Sequence, residues 1–112
     1  MATKHDLTIE QGATLQLTLT IYDEAGSAMD LSNYTGRMHG RLKVASTTTF
    51  FEWDSDEITC NADGTIDIVV SATDTAALDF TRGVYDLEIE SDGGVVTRII
   101  EGTVTLSKEV TR

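Results

Sequence analysis

Strict alternation of apolar and polar side chains over residues 14–22, TLQLTLTIY, is the feature that most constrains the fold of this chain. Threonine, glutamine and tyrosine alternate there with four apolar residues, which are Leu15, Leu17, Leu19 and Ile21. Successive side chains of a β-strand point to opposite faces, so this period places all four apolar residues on one face. The segment is therefore predicted to be a strand with one buried face.

A second alternating segment begins GVYDLEIE at residue 83. Tyr85, Leu87 and Ile89 alternate with acidic residues, and a glycine-rich turn signal then precedes another apolar run. This pattern is typical of a β-hairpin. The last strand is expected to extend through residues 95–110, where Gly102 suggests a bulge or kink and the paired Ile99 and Ile100 suggest that the facing changes nearby.

Four further segments are predicted to be strands: a short one at Leu7 and Ile9, one over residues 35–44, an edge strand around Phe50 to Trp53, and one over residues 64–70. Turns are expected at the glycines between them, including Gly12, Gly26 and Gly64. In the strand over residues 35–44, Met38, Leu42 and Val44 are expected to point inward. The one helical candidate is a single turn within residues 71–80, with Ser71 or Thr73 as its cap.

About seven short strands, no proline and no long helix predict an all-β fold, an immunoglobulin-like antiparallel β-sandwich. A 12.2 kDa chain buries roughly two-thirds of its extended surface around one core, so residues 1–112 are expected to form a single domain. In immunoglobulin-like domains a short turn leads into a strand whose tyrosine hydroxyl bonds back to the preceding loop. Tyr85 occupies the place of that tyrosine.

The composition excludes several classes of function. A net charge of −11 disfavours nucleic acid, whose phosphates an acidic surface repels. The longest apolar runs are a few residues, and the first residues lack a signal-peptide pattern, so no membrane contact or export is expected and synthesis is predicted to be cytoplasmic. The single cysteine, Cys60, cannot form an internal disulfide and is expected to be a buried or half-buried inert thiol.

Catalytic and metal-binding patterns are weak. The two histidines, His5 and His39, have no nucleophile set beside them in the sequence. Asp54, Asp56 and Glu57 offer oxygens of the type that calcium prefers, but the glycine and ligand spacing of a calcium loop are missing, so a solvated acidic loop is favoured. The chain is predicted to be neither an enzyme nor a binder of a metal or cofactor.

The strand over residues 35–44 carries a basic outer face that includes Arg37 and Arg41. This face has two interpretations, a binding patch for an acidic partner or an internal ladder. An immunoglobulin-like topology pairs this strand with the one that carries Asp86 and Glu88. Opposite charges across a strand pair stabilise it and fix its register, so the internal ladder is favoured.

Three aromatic residues, Phe50, Phe51 and Trp53, fall within four positions. Alternation buries only one side of a strand, so at least one ring is expected outside the core, where large aromatics serve as interface anchors. With Ile99 of the last strand they are the candidate interface residues. The alternative is that all three rings cover one end of the sandwich.

Four parts of the sequence resemble small structural proteins of tailed bacteriophages and the N-terminal domains of phage baseplate and fibre proteins. These parts are Gln11-Gly12, residues 23–26, DLSNYTGRM at residues 30–38, and residues 83–104. The resemblance spans nearly all of the chain except roughly residues 45–60. It implies an immunoglobulin-like virion module that assembles on a tail or baseplate, and some similar domains decorate capsids.

The resemblance therefore predicts a non-enzymatic virion protein, made in the host cytoplasm, whose partners are other phage proteins and further copies of itself. A chain that stops at Arg112 without a fibre shaft is expected to be an accessory module of the tail or baseplate. The alternatives are a capsid decoration protein and a carbohydrate-binding module, which would need the FFEW rings as an exposed platform. Unpaired sheet edges without proline predict that another chain covers an edge.

Overall fold

The computed structural model describes residues 3–111, which form two β-sheets that face each other. Within that range lie nine strands and one helix, in the order β1 (Thr3–Lys4), β2 (Leu7–Glu10), β3 (Leu15–Thr20), β4 (Thr35–Arg41), β5 (Phe51–Trp53), β6 (Ile58–Cys60), β7 (Thr65–Val70), α1 (Ala72–Ala76), β8 (Arg82–Glu90) and β9 (Val96–Ser107). The predicted strands are all present, and the sequence did not indicate the two short strands β1 and β6.

The larger sheet has the order β1-β9-β8-β4-β5, with β2 also on β9, and the smaller sheet has the order β3-β7-β6. Pairing is antiparallel except that β1 and β2 run parallel to β9. The predicted antiparallel sandwich is present, and the parallel pairing of the first strands is a feature that the sequence did not indicate. They join the sheet of the last strand instead of pairing with β3, the next strand in sequence.

This strand order is that of an immunoglobulin-like sandwich. The B, E and D strands of such domains correspond to β3, β7 and β6, and the G, F, C and C′ strands correspond to β9, β8, β4 and β5. The chain is thus an all-β immunoglobulin-like sandwich. Residues from both sheets form one hydrophobic cluster, in which Ile66, Ile68, Leu87 and Val104 are fully buried.

Alternation accounts for how β3 and β7 face this core. The leucines of β3 pack against the buried cluster, as predicted, and they remain half-buried because β3 lies at the edge of its sheet. After β7, Ser71 caps α1 by accepting a 3.1 Å hydrogen bond from the Asp74 amide, which confirms the predicted single turn. Thr75 of this turn is fully buried, and its hydroxyl donates to the Ala13 carbonyl at 2.8 Å.

The prediction that Leu42 and Val44 point inward is wrong, since both are exposed. The strand β4 ends at Arg41, and a turn follows in which the Ser46 amide donates to the Lys43 carbonyl at 3.0 Å. Glycines instead share the inward face of β4 with Met38, and a Cβ on Gly40 would overlap the ring of Phe51.

The irregularity in β9 lies at the paired isoleucines Ile99 and Ile100, where a change of facing was predicted, and not at Gly102. Leu87 pairs with Ile100, whereas Glu88 pairs with Arg98, so Ile99 is the extra residue of a bulge. Gly102 has a different role, because a Cβ at this position would overlap the backbone carbonyl of His5. Its small size lets the N-terminal segment approach β9 closely.

Candidate functional site

A charge ladder lies on the outer face of the larger sheet. Arg37 on β4 is directly opposite Glu88 on β8, and its Nε donates to Glu88 Oε1 at 3.1 Å. The same guanidinium lies 3.7 Å from Glu90. The predicted pairing of Arg37 with Glu88 is present, and about half of the Arg37 side chain is exposed, where such pairs are weak.

The expected role of Arg41 in this ladder is wrong. The register places Arg41 opposite Val84, while His39 is opposite Asp86. The Arg41 guanidinium turns instead toward the loop after β4, where it donates to the Ser46 carbonyl at 2.9 Å. Arg41 therefore stabilises a loop. Within residues 3–111 it forms no ion pair with Asp86 or Glu88.

Asp86 pairs with a residue that the sequence reasoning did not consider. Arg98 on β9 lies 3.4 Å from the Asp86 carboxylate and 3.4 Å from that of Glu101. Desolvation raises the pKa of Asp86, the nearby negative charge of Glu88 raises it further, and Arg98 opposes both effects. The bulge at Ile99 carries Arg98 into this position, which is why residue spacing alone did not indicate the pair.

A shallow groove of about 530 Å³ runs along this outer face. Its charged lining includes Lys4, His39, Arg41, Asp86, Arg98 and Glu101. The lining carries charges of both signs, and Arg98 is already paired with Asp86 and Glu101. The groove therefore offers neither a concentrated anion site nor an enclosed pocket of the kind that holds a small molecule.

The aromatic segment belongs to the core. Phe51 and Trp53 are only 5% and 6% exposed, and their rings stack with centroids 4.0 Å apart. Phe50 precedes the strand, is half-buried, and stacks on Phe80 at 4.4 Å. The expectation that Phe51 and Trp53 are exposed interface anchors is wrong, because the chain bends before β5 and packs Phe50 on Phe80 beside the core.

The fourth candidate interface residue, Ile99, is half-buried and packs against the core from its bulge. The strand that carries it has neighbours on both sides, since β9 pairs with β8 on one edge and with β1 and β2 on the other. The last strand consequently offers no open edge to a partner over residues 100–107.

The groups considered for chemistry make local structural contacts. In the acidic loop, the Asp54 amide donates to Glu57 Oε1 at 3.1 Å and the Asp56 amide to Asp54 Oδ1 at 3.3 Å. Cys60 is half-buried, as predicted, and burial raises the pKa of its thiol. Across residues 3–111 no cluster of histidine, cysteine and carboxylate groups is arranged to hold a metal ion.

The sequence predicted an open sheet edge but placed the contact at the aromatic segment and the last strand, whereas the open edge lies at β3. The strand β3 pairs only with β7, so its other edge has no neighbour in the part of the chain that the structure describes. A strand edge without a neighbour presents amides and carbonyls that another chain can pair with. The sequence feature that could have located this edge is the absence of charged side chains from residues 14–22.

Between residues 3 and 111, no helix has the length and apolar character needed to cross a bilayer.

Neither a protein family nor a characterised protein matches this sequence. Solved structures do match the fold. One is the immunoglobulin-like domain of mouse leukocyte-associated immunoglobulin-like receptor 1, described as a strand-swapped dimer, with 16% identity, a TM-score of 0.52, and coverage of 92% of this chain and 88% of that chain. Another is the extracellular domain of the voltage-gated sodium channel β4 subunit, described as parallel homodimers that explain a role in cell–cell adhesion, with 13% identity, a TM-score of 0.52, and coverage of 98% and 96%. At these identities the likeness establishes an immunoglobulin-like fold.

Proposed function

We propose that this chain is a non-enzymatic structural module of a tailed-bacteriophage virion, present in several copies on the tail or baseplate. The observation that carries the proposal is the sequence resemblance to phage modules. The positions of the shared residues in the structure support it. Gln11 joins two distant segments, because its Nε2 donates to the Leu78 carbonyl at 3.0 Å and its Oε1 accepts from the Glu109 amide at 2.9 Å.

Two glycines of the resemblance also lie where segments approach closely. A Cβ on Gly83 would overlap the Arg41 carbonyl, and a Cβ on Gly102 would overlap the His5 carbonyl. The residues shared with the phage modules are thus ones that hold remote parts of the sandwich together.

The surface favours assembly over catalysis. The outer groove is shallow and its charges are largely compensated, whereas β3 presents an open edge for pairing with a protein. The carbohydrate-binding alternative gains no support, because its aromatic platform would have to be exposed and Phe51 and Trp53 are buried. A protein-binding module is the role that these surfaces serve best.

The proposal is tested by finding the chain in particles. Virions are purified from a producing culture, tails and capsids are separated, and the chain is quantified in each by peptide mass spectrometry against the major tail and capsid proteins. A constant ratio to the major tail protein is the expected result. Recovery with capsids alone would favour the capsid decoration alternative, and absence from both fractions would contradict a virion role.

A further inference from the structure

The open edge of β3 is unusual among the edges of this sandwich. It is six residues long, whereas β5 and β6, which end the other sheet edges, have three residues each. The charged residue Glu52 lies within β5, and Glu10 lies within β2 at the remaining edge. Proline, charge or short length normally protects an edge strand, and β3 has none of these.

The pairing of β3 with β7 determines which amides face outward. The Ile21 amide donates to the Gly64 carbonyl at 2.8 Å, in continuation of the ladder in which Leu19 pairs with Ile66. Hydrogen-bonded positions alternate along an antiparallel strand, so odd-numbered residues bond to β7. The amides and carbonyls of Gln16, Thr18 and Thr20 therefore face the open edge.

We infer that this edge binds β3 of a second copy of the chain, antiparallel, with the two-fold axis between the two Thr18 residues. That axis lies at the centre of the uncharged run of residues 14–22. Leucine then faces leucine or isoleucine on the core side, and Gln16 faces Thr20 of the second copy on the outer side. Three hydrogen-bonded pairs would form about six new backbone bonds and join the two small sheets into one.

Charge explains why a second copy fits this edge. Each copy carries a net charge of −11, so most of its surface repels another copy. Asp67, an acidic residue opposite Thr18 on β7, accepts a 2.9 Å hydrogen bond from Thr18 Oγ1 within one copy. Its counterpart in the second copy would lie three strand spacings away, about 14 Å, which exceeds the screening length of about 8 Å.

Apolar surface adds to this pairing. The three leucines of β3 are half-buried at the sheet edge, and Tyr22 at the end of the run is 62% exposed. A neighbouring strand would cover the exposed parts of these side chains. The inference identifies one partner surface for the assembly role proposed above. The inference depends on the proposed virion role only for where the dimer would act. The dimer itself is tested on the isolated protein.

The first test compares two threonine-to-lysine variants by sedimentation velocity, from about 1 μM to about 1 mM, since so small an interface gives weak association. Thr18→Lys places two ammonium groups opposite each other at the axis, and Thr97→Lys changes an exposed threonine of β9 in the larger sheet. Wild type and Thr97→Lys are expected to dimerise alike, while Thr18→Lys raises the dissociation constant about tenfold or more. Circular dichroism checks that each variant is folded.

The second test locates the axis and does not depend on the lysine variants. In a Cys60→Ser background, Thr18→Cys is expected to form a disulfide-linked dimer under mild oxidation, and Thr97→Cys is not. A wild-type protein that stays monomeric throughout would overturn the inference and leave the edge to a strand of a different protein. Equal dimerisation by Thr18→Lys and wild type, or cross-linking only through residue 97, would also overturn it. A dimer in solution with no recovery in virions would refute the phage setting alone.

Discussion

The hydroxyl of Tyr85 donates a 2.6 Å hydrogen bond to the backbone carbonyl of His5, 80 positions earlier in the chain. Tyr85 on β8 lies opposite Gly102 on β9, and a Cβ on Gly102 would overlap that same carbonyl. Tyr85 lies near the start of β8, as predicted, but its hydrogen-bond partner is different. The prediction was a bond to the loop before β8. The tyrosine instead attaches the segment between β1 and β2 to the middle of the larger sheet.

Removing the Tyr85 hydroxyl should weaken the fold modestly, and removing the ring should weaken it strongly. Tyr85→Phe loses one hydrogen bond, worth about 1 kcal/mol of unfolding free energy, whereas Tyr85→Ala also loses the packing of a buried ring, about 3 to 5 kcal/mol in total. Urea unfolding of both variants measures the difference. Equal stability of all three proteins would show that the contact contributes nothing.

Stability should fall in strongly alkaline solution, partly through this residue. Desolvation and the charge of Asp6 raise the pKa of Tyr85 from 10.0 to about 12. Below pH 10 the phenol is neutral in both states, and between pH 10 and about 12 the unfolded chain releases the proton first, so unfolding becomes more favourable. Wild type should lose more stability than Tyr85→Phe in that window. If the unfolding free energies of the two proteins fell equally with pH, Tyr85 would not be the group responsible.

A double-mutant cycle should detect coupling between Arg37 and Glu88. The ion pair is partly exposed, so Arg37→Gln and Glu88→Gln should show a coupling energy of about 0.3 to 1 kcal/mol that weakens with added salt. The matched cycle of Arg41→Gln with Glu88→Gln should be additive, since Arg41 lies opposite Val84. Coupling in the second cycle and none in the first would show that the strand register differs.

Two glycine-to-alanine variants should differ in stability. At Gly83 the new methyl would overlap the Arg41 carbonyl, a backbone atom that cannot move alone, and the expected loss is about 1 to 3 kcal/mol. At Gly93, in the turn before β9, the nearest atom is Ser91 Oγ at 4.0 Å, and the change should stay within about 0.5 kcal/mol. Thermal unfolding of both compares them, and a Gly83→Ala protein as stable as Gly93→Ala would contradict the close approach.

Period-two patterns accounted for most of the fold. The strands around Leu17, Ile68 and Leu87 follow from alternation, because burying one face of each leaves the chain few other arrangements. The parallel pairing of β1 and β2 with β9 did not follow, since nothing in a short strand specifies which distant strand it joins. The paired Ile99 and Ile100 indicated the change of facing at the bulge, whereas Gly102 also suggested a bulge and instead marks a close approach of two segments.

The candidate site was less predictable than the fold. Three aromatic residues within four positions predicted at least one ring outside the core, but a bend before β5 lets Phe50 stack on Phe80 while Phe51 and Trp53 enter the core. Arg41 looked equivalent to Arg37 until the end of β4 turned it toward a loop. The open edge of β3 depends on which sheet β1 and β2 join, so it emerges only from the complete topology.

The most direct test of the central claim, that this chain is a structural part of a virion, is a comparison of cryo-electron microscopy maps of particles made with and without it. The account predicts density for sandwiches of about 45 × 28 × 22 Å at repeated positions on the tail or baseplate of the complete particles, and its loss when the chain is absent. Two maps that agree over the whole particle would contradict the claim.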